Sequence, residues 1–282
     1  DWLAMGKGIA WQAMHNNPVS NAFIVHDLKV ISETAERLGK KADADRYRRQ
    51  LEATTKAYIE KFVSKKGIVA KDYQSAYIMA LKFVLPEGEL RELVKKNFAA
   101  NIRKNGLQTG FFATEHLLPL LVEAGETELA YDILLQEGCP GWMYQIKCGA
   151  TTTWERWDAL KPDGTVNEEK MAGSGDNMVS FNHYAFGSVG EFYYQYILGI
   201  KPQKPGFAEL HFEPYPDRRL GGVSGSYLSR AGKIESSWKY EEDGCHISLN
   251  TPVKSEVVLP NGQRETVEEG TYPVSYTHLT LP

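Results

Sequence analysis

Apolar residues recur at helical spacing through roughly the first two hundred residues of the chain. One stripe, with steps of three and four residues, consists of Ile24, Leu28, Ile31, Ala35 and Leu38. Further stripes lie within 47–62, 77–84, 90–102, 117–122, 129–135 and 184–198. Since steps of this kind place side chains on one face of a helix, the pattern predicts about seven helices in antiparallel succession.

Two long connections interrupt these helices, at 103–114 and 138–183, and both are rich in Gly, Thr and aromatic residues. The other connections are short. Long loops inside a compact domain are usually functional. A toroid of paired helices would place such loops together at one end, so we expect the chemistry there.

The pattern changes after Gly199, where prolines and glycines break the helical period. Four runs read as strands, namely 208–212, 233–240, 246–249 and 256–259. Asp243-Gly244 and Asn261-Gly262 are strong hairpin signals between them. The fold class we predict is mainly α with a β module: a partial (α/α)6 toroid over 1–199, then a small antiparallel β-sandwich over 200–274. We treat 275–282 as a tail outside both domains.

Composition narrows the classes of function. The net charge of −4 is not concentrated in long runs, which argues against nucleic acid or an anionic membrane as the main partner. No apolar run approaches the roughly 20 residues that cross a bilayer. Three cysteines without a CxxC pair, and scattered histidines, predict no metal site and no cofactor. We interpret the chain, which begins at Asp1, as part of a longer protein. Its compartment and oligomeric state stay open.

The most informative segment is 149–158, where Glu155 lies among tryptophans, an arginine and three preceding threonines. A carboxylate beside aromatic faces is typical of a sugar-processing site. Apolar neighbours would favour a protonated acid, whereas Arg156 turned toward the carboxyl would favour an ionised base. The alternative is that Trp154 and Trp157 are core anchors. His183 and Asn182, ahead of a Gly-rich helix, suit recognition of sugar hydroxyls, or else a helix cap and a core histidine.

At these residues the chain resembles bacterial α-L-rhamnosidases of the (α/α)6-barrel type. The resemblance covers about 1–273. It rests on strings in one order: Asp1-Trp2-Leu3, Tyr73–Tyr77 with Ala80-Leu81, Thr109-Gly110-Phe111 with Leu117–Leu121, Gly141–Tyr144, Gly149–Asp158, Ser180–Gly190, Pro205–Phe207 and Trp238.

The resemblance implies an inverting glycosidase that releases terminal α-L-rhamnose from rhamnose-containing glycosides or polysaccharides. Glu155 matches the general base, and His183 matches a rhamnose-binding residue. Trp2 matches a stacking aromatic, while Asn182 and Trp157 are further candidates for substrate contact. Inversion requires an acid carboxyl roughly 6.5–9.5 Å from the base.

The family's general acid lies in an acidic stretch that precedes the Asp-Trp string, and we expect it upstream of Asp1. About seven helices are also too few to close the toroid. We therefore expect an exposed apolar face and no activity from the chain alone. Two alternatives are a non-catalytic carbohydrate-binding protein and an (α/α)6 glycosidase with another sugar preference.

Overall fold

The computed structural model of the chain describes residues 1–6, 11, 15–168 and 179–276. The chain divides into two compact units, Asp1–Gly187 and Ser188–Pro282. Among the described residues, no helix is long and apolar enough to span a membrane. The glycine-rich string 173–175 and the end of the tail, 277–282, lie outside the described residues.

The first unit is helical, as its sequence pattern predicts. Its helices are α1 Asn17–Arg37, α2 Lys41–Phe62, α3 Gln74–Met79, α4 Glu89–Asn105, α5 Phe111–Glu123, α6 Thr127–Leu135 and α7 Trp142–Lys147. A π-helical turn, Ala80–Val84, continues α3. Every residue from Leu117 to Val122 of α5 is buried. Because a helix that is apolar on all sides must be enclosed, α5 lies in the core of this unit.

Two loops differ from the prediction. The connection between α4 and α5 is the short segment 106–110, not 103–114. The predicted loop 138–183 contains the helix α7, whose single turn and a half carries too few apolar positions to show a period. Both segments contribute residues to the candidate site.

The second unit begins within the last predicted helix, which changes form along its length. A 3₁₀ turn, Ala185–Ser188, is followed by α8, Val189–Phe192, and by a π-helical segment, Tyr193–Ile197. The strands are β1 Ile200–Pro202, β2 Leu210–Phe212, β3 Gly222–Ser229, β4 Gly232–Glu241, β5 Gly244–Thr251, β6 Ser255–Val258, β7 Arg264–Val267 and β8 Gly270–Tyr276.

These strands form two four-stranded sheets, in the orders β1-β2-β6-β7 and β3-β4-β5-β8. The second sheet is antiparallel throughout, and the predicted turns at Asp243-Gly244 and Asn261-Gly262 join β4 to β5 and β6 to β7. The first sheet is mixed, because β2 and β6 pair in parallel. The predicted β module with antiparallel pairing is confirmed, and among the described strands this pair is the parallel exception. β8 runs to Tyr276, two residues into the stretch predicted as a tail.

Alternation along β4 shows how the β module forms its core. Ile234, Ser236 and Trp238 are buried, and the residues between them are not. Trp238 donates its indole N–H to the carbonyl of Ile197 at 2.7 Å, and Ser236 donates to the carbonyl of Leu198 at 2.6 Å. The buried polar atoms on this face are thus satisfied by the carbonyls at the end of the π-helical segment.

Candidate functional site

The two most specific strings of the sequence lie side by side in the first unit. The backbone N–H of Glu155 donates to the carbonyl of Ser180 at 2.8 Å. The N–H of His183 donates to the carbonyl of Thr153 at 2.9 Å, and the Thr153 hydroxyl donates to the carbonyl of His183 at 2.6 Å. This pairing holds the predicted base and the predicted sugar-binding histidine on adjacent backbone segments.

Glu155 is buried, with 9% of its surface exposed. Within the part of the chain that the structure describes, no hydrogen bond or ion pair reaches its carboxylate. Arg156, next along the chain, makes a bidentate pair with Asp158, at 2.6 Å from Nε and 3.1 Å from Nη2. Asn167 also donates to Asp158, at 2.9 Å. Since Asp158 already binds the guanidinium in a two-pronged geometry, Arg156 is held in place beside Glu155.

The two tryptophans of the string are core residues. Trp154 is 2% exposed, and its ring meets Tyr144 and Phe181 edge to face. Trp157 has no exposed surface, and its ring stacks on Phe186 at 3.8 Å. The predicted substrate contact of Trp157 is therefore replaced by a packing role, because both rings are enclosed by other side chains.

Trp157 instead supports the loop before α5. Its indole N–H donates to the carbonyl of Thr109 at 2.9 Å. Gly110 follows, and a Cβ atom there would lie 1.8 Å from the carbonyl oxygen of Trp2, so only glycine fits. Trp157 therefore supports Trp2 indirectly. Its indole holds Thr109, and the next residue, Gly110, packs against the backbone of Trp2.

The Asp1-Trp2 string caps the start of α5. The buried carboxylate of Asp1 accepts from the backbone N–H groups of Gly110 and Phe112, at 2.7 and 2.9 Å, and from the Ser75 hydroxyl at 2.8 Å. Trp2 accepts from the N–H of Phe111 at 3.0 Å through its carbonyl. Carboxylates stabilise the unpaired N–H groups and positive dipole of a helix start. This cap fixes Trp2, whose side chain is half-buried, at the N-terminus of α5.

Phe111 links the start of α5 to His183. The two rings lie 4.7 Å apart, and the other neighbour of His183 is Tyr184, stacked at 5.0 Å with an interplanar angle of 17°. The N–H of Ala185 donates to Nδ1 of His183 at 3.3 Å. Because an accepting Nδ1 carries no proton, Nε2 carries it in the neutral ring, and no other described residue is hydrogen-bonded to Nε2. Phe111 and Tyr184 were not predicted as site residues, although both belong to the strings that carry the resemblance.

Asn182 lies in the turn before His183, and Cys139 lies beside the carbonyl of Trp157. Asn182 is exposed, and its backbone N–H donates to the Ser180 hydroxyl at 3.2 Å, which shapes the turn before His183. Burial, with the nearby Asp158 carboxylate second, raises the pKa of the Cys139 thiol to about 11. This thiol therefore stays protonated and is unsuited to nucleophilic attack.

Among the described residues, one group of side chains has the spacing of a metal site, and it lies at the surface of the β module. Glu241, Asp243 and His246 bring one ligand atom each within 4.8 Å of one another at the β4–β5 hairpin. The same contacts are explained as surface ion pairs, with His246 bonded to Asp243 at 2.9 Å.

The helices of the first unit, with the paired strings of Glu155 and His183, match the fold class of the six-hairpin glycosidase domain. Two family models match the chain: the bacterial alpha-L-rhamnosidase 6 hairpin glycosidase domain over residues 1–197, and the bacterial alpha-L-rhamnosidase C-terminal domain over 199–272. The chain belongs to the bacterial α-L-rhamnosidase family.

Similar proteins agree in sequence and in structure. An alpha-L-rhamnosidase of Alteromonas sp. (strain LOR) is 35% identical over 271 residues, which are 92% of this chain and 29% of the relative. One of Streptomyces avermitilis is 33% identical over 267 residues, 93% of this chain and 24% of the relative. The chain thus spans only about a quarter of the length of these relatives.

Solved structures show the same fold. The Streptomyces avermitilis alpha-L-rhamnosidase complexed with L-rhamnose aligns with a TM-score of 0.85 and 30% identity, covering 97% of this chain and 27% of that one. The native enzyme from Aspergillus terreus aligns with a TM-score of 0.83 and 30% identity, covering 91% of this chain and 30% of that one.

Proposed function

We propose that the protein containing this chain releases terminal α-L-rhamnose from rhamnosides, with Glu155 as the general base of an inverting hydrolysis. The observation that supports the proposal is the backbone pairing of 153–155 with 180–183, which brings the segment of the buried Glu155 next to that of His183. The names of the relatives, and the rhamnose bound in one solved structure, support rhamnose as the sugar.

In this proposal Glu155 takes a proton from the water that attacks the anomeric carbon. A base must accept a proton, so its oxygens must not already be occupied by donors. The Glu155 carboxylate meets this condition among the described residues, because Arg156 is held by Asp158. Glu155 is only 9% exposed, so bulk water has little access to the carboxylate, which can orient a single water molecule.

Substrate binding falls in the proposal to His183, Trp2 and Asn182. The Nε2–H of His183 donates to a sugar hydroxyl, and the exposed amide of Asn182 offers a further donor and acceptor. Trp2 supplies an apolar ring face for the sugar. We place the general acid outside residues 1–282, as the resemblance implies, at roughly 6.5–9.5 Å from Glu155 in the complete protein.

The decisive experiment is Glu155→Gln in the complete protein. Removing the proton acceptor while keeping shape should lower kcat on an aryl α-L-rhamnoside by at least about a hundredfold, with KM little changed. The product from the unmodified protein should be the β-anomer by NMR. Asp163→Asn, an exposed carboxylate bonded to Thr165 in the same unit, is the matched control and should keep full activity.

A panel of aryl glycosides separates this proposal from its alternatives. Turnover of an aryl fucoside in preference to the rhamnoside would assign another sugar. Unchanged turnover in Glu155→Gln would remove Glu155 from the reaction. Tight calorimetric binding of L-rhamnose without hydrolysis of any substrate would identify a carbohydrate-binding protein instead.

A further inference from the structure

One aromatic side chain at the candidate site is almost entirely open to solvent. Tyr184 is 85% exposed, the highest value among the large apolar and aromatic side chains that the structure describes as exposed. Its backbone is fixed, because its carbonyl accepts from the N–H of Gly187 at 2.9 Å. An ordered backbone that presents a bare aromatic ring is a feature of surfaces that bind a ligand.

The ring of Tyr184 belongs to a stack of three aromatic rings. Phe111, His183 and Tyr184 follow one another at centroid separations of 4.7 and 5.0 Å. The inner face of the tyrosine ring is covered by His183, so its outer face is the open end of the stack. Stacking on the imidazole also limits rotation of the phenol, which reduces the entropy lost when a ligand binds.

Exposure rises along this part of the site. Glu155 is 9% exposed, His183 is half-buried, and Tyr184 is 85% exposed. A terminal sugar whose anomeric carbon lies near Glu155 is enclosed, whereas the remainder of the substrate must extend outward past the rim. The residue at the rim therefore meets the part of the substrate that leaves after bond cleavage.

We propose that Tyr184 is a specificity residue for the aglycone, binding the apolar face of the sugar or aromatic ring attached to rhamnose. This inference rests on the proposed function. A flat ring stacked on the open face of Tyr184 gains dispersion and excludes water from both surfaces. No bond to the reacting atoms is involved, so Tyr184 affects the binding of one substrate class and leaves the chemical step alone.

The test compares two substrates in the complete protein: p-nitrophenyl α-L-rhamnoside, with a ring in the aglycone, and methyl α-L-rhamnoside, without one. Tyr184→Ala should raise KM for the ring-bearing substrate about three- to tenfold. It should leave kcat for both substrates, and KM for the methyl rhamnoside, unchanged. Tyr184→Phe should behave as the unmodified protein, because stacking does not need the hydroxyl.

Tyr194→Ala is the matched control, since Tyr194 is a 42% exposed tyrosine of the second unit. Equal KM values for both substrates in Tyr184→Ala and the unmodified protein would overturn the inference. An equal rise in KM for both would overturn it too, and would place the ring against rhamnose or behind His183. If the unmodified protein hydrolyses neither substrate, the proposed function itself fails, which is a different outcome.

Discussion

Trp157 lies two positions from Glu155, but its indole is a structural support. The ring is enclosed by Phe186 and Trp142, and its N–H is bonded to the loop that leads into α5. The aromatic residues of the string indicate a sugar site because they belong to its motif, whereas the rings of Trp154 and Trp157 are packed in the core. Contact with substrate is left to more exposed residues.

Replacing Trp157 with Phe should therefore change stability and not substrate affinity. The variant loses the hydrogen bond to Thr109 and part of the stacking surface on Phe186, a loss of about 2 kcal/mol of unfolding free energy. Urea titrations of the unmodified and variant proteins measure this loss. KM for an aryl rhamnoside, measured at a temperature where both are folded, should differ by less than about twofold. A large rise in KM at unchanged stability would restore the predicted substrate contact.

The sequence identifies Glu155 and His183 as a pair only through their motifs. Nothing in the spacing of residues 155 and 183 shows that their backbones are hydrogen-bonded, because long-range pairing depends on the whole fold. The same holds for Phe111, which reaches His183 from a different helix. Trp157 is buried and Tyr184 is exposed, and this difference cannot be predicted from the type of residue.

At the scale of elements, a histidine joins the parallel pair of strands in the β module. His211 of β2 has Nδ1 at 2.9 Å from Glu256 of β6 and Nε2 at 3.2 Å from Glu213. Lys201 of β1 also pairs with Glu213, and Arg264 of β7 with Glu256. Because both ring nitrogens face carboxylates, the imidazolium, with two N–H donors, is the form that fits.

This arrangement predicts a pH dependence of stability. The hydrogen bond to Glu213 raises the pKa of His211, and the bond to His211 lowers the pKa of Glu213 to about 2. A raised histidine pKa stabilises the fold below the ordinary value of about 6.5, and this contribution is lost as pH rises through the folded-state pKa. The Glu213 contribution is present above about pH 4.5 and is lost as pH falls toward 2.

His211→Gln tests the alkaline side of this dependence. Urea titrations at pH 5.5 and pH 8.5 should show the unmodified protein more stable than the variant by about 1–2 kcal/mol at the lower pH, and by less at the higher. Hydrogen exchange in the peptides that contain β2 and β6 locates the effect. His246→Gln, at a hairpin histidine paired with Asp243 at the surface, should show a smaller difference between the two pH values, because solvent screens that pair. A difference in unfolding free energy between the unmodified protein and His211→Gln that stays constant with pH would contradict the ion-pair explanation.

Elements with a clear period were predictable, and those without one were not. β3 carries Gly222, Gly225 and alternate serines, and β7 is exposed at three of four positions, so neither shows apolar alternation. The parallel pairing of β2 with β6 leaves no local trace, because the two strands are far apart in the chain. The period also fails to tell which side of a helix is buried, as α1 illustrates.

At the scale of the whole molecule, α1 has two apolar faces, and only one is covered. Val19, Ala22, Val25 and Ala35 are buried, whereas the stripe that predicted the helix is largely open. Ile24 is 47% exposed, Ile31 42% and Leu38 65%. A row of apolar side chains along a helix forms one contiguous apolar patch. Such a patch is larger than the area that a single exposed apolar residue presents, and it is suited to packing against another surface. The full-length relatives contain further residues to which this sequence does not align.

The open stripe predicts that residues 1–282, produced alone, self-associate through α1. Burying the exposed parts of two isoleucines per copy contributes on the order of 1 kcal/mol each. The double substitution Ile24→Lys, Ile31→Lys should therefore weaken association at least about tenfold in sedimentation velocity. Both positions face solvent, so the helix and the core beneath it should be retained, and circular dichroism checks this.

Leu228→Lys, at a 79% exposed leucine of the β module, is the control and should not change association. If the unmodified chain is monomeric at the same concentration, the stripe is too small to act as an interface. If Leu228→Lys dissociates it instead, the contact lies on the β module and not on α1.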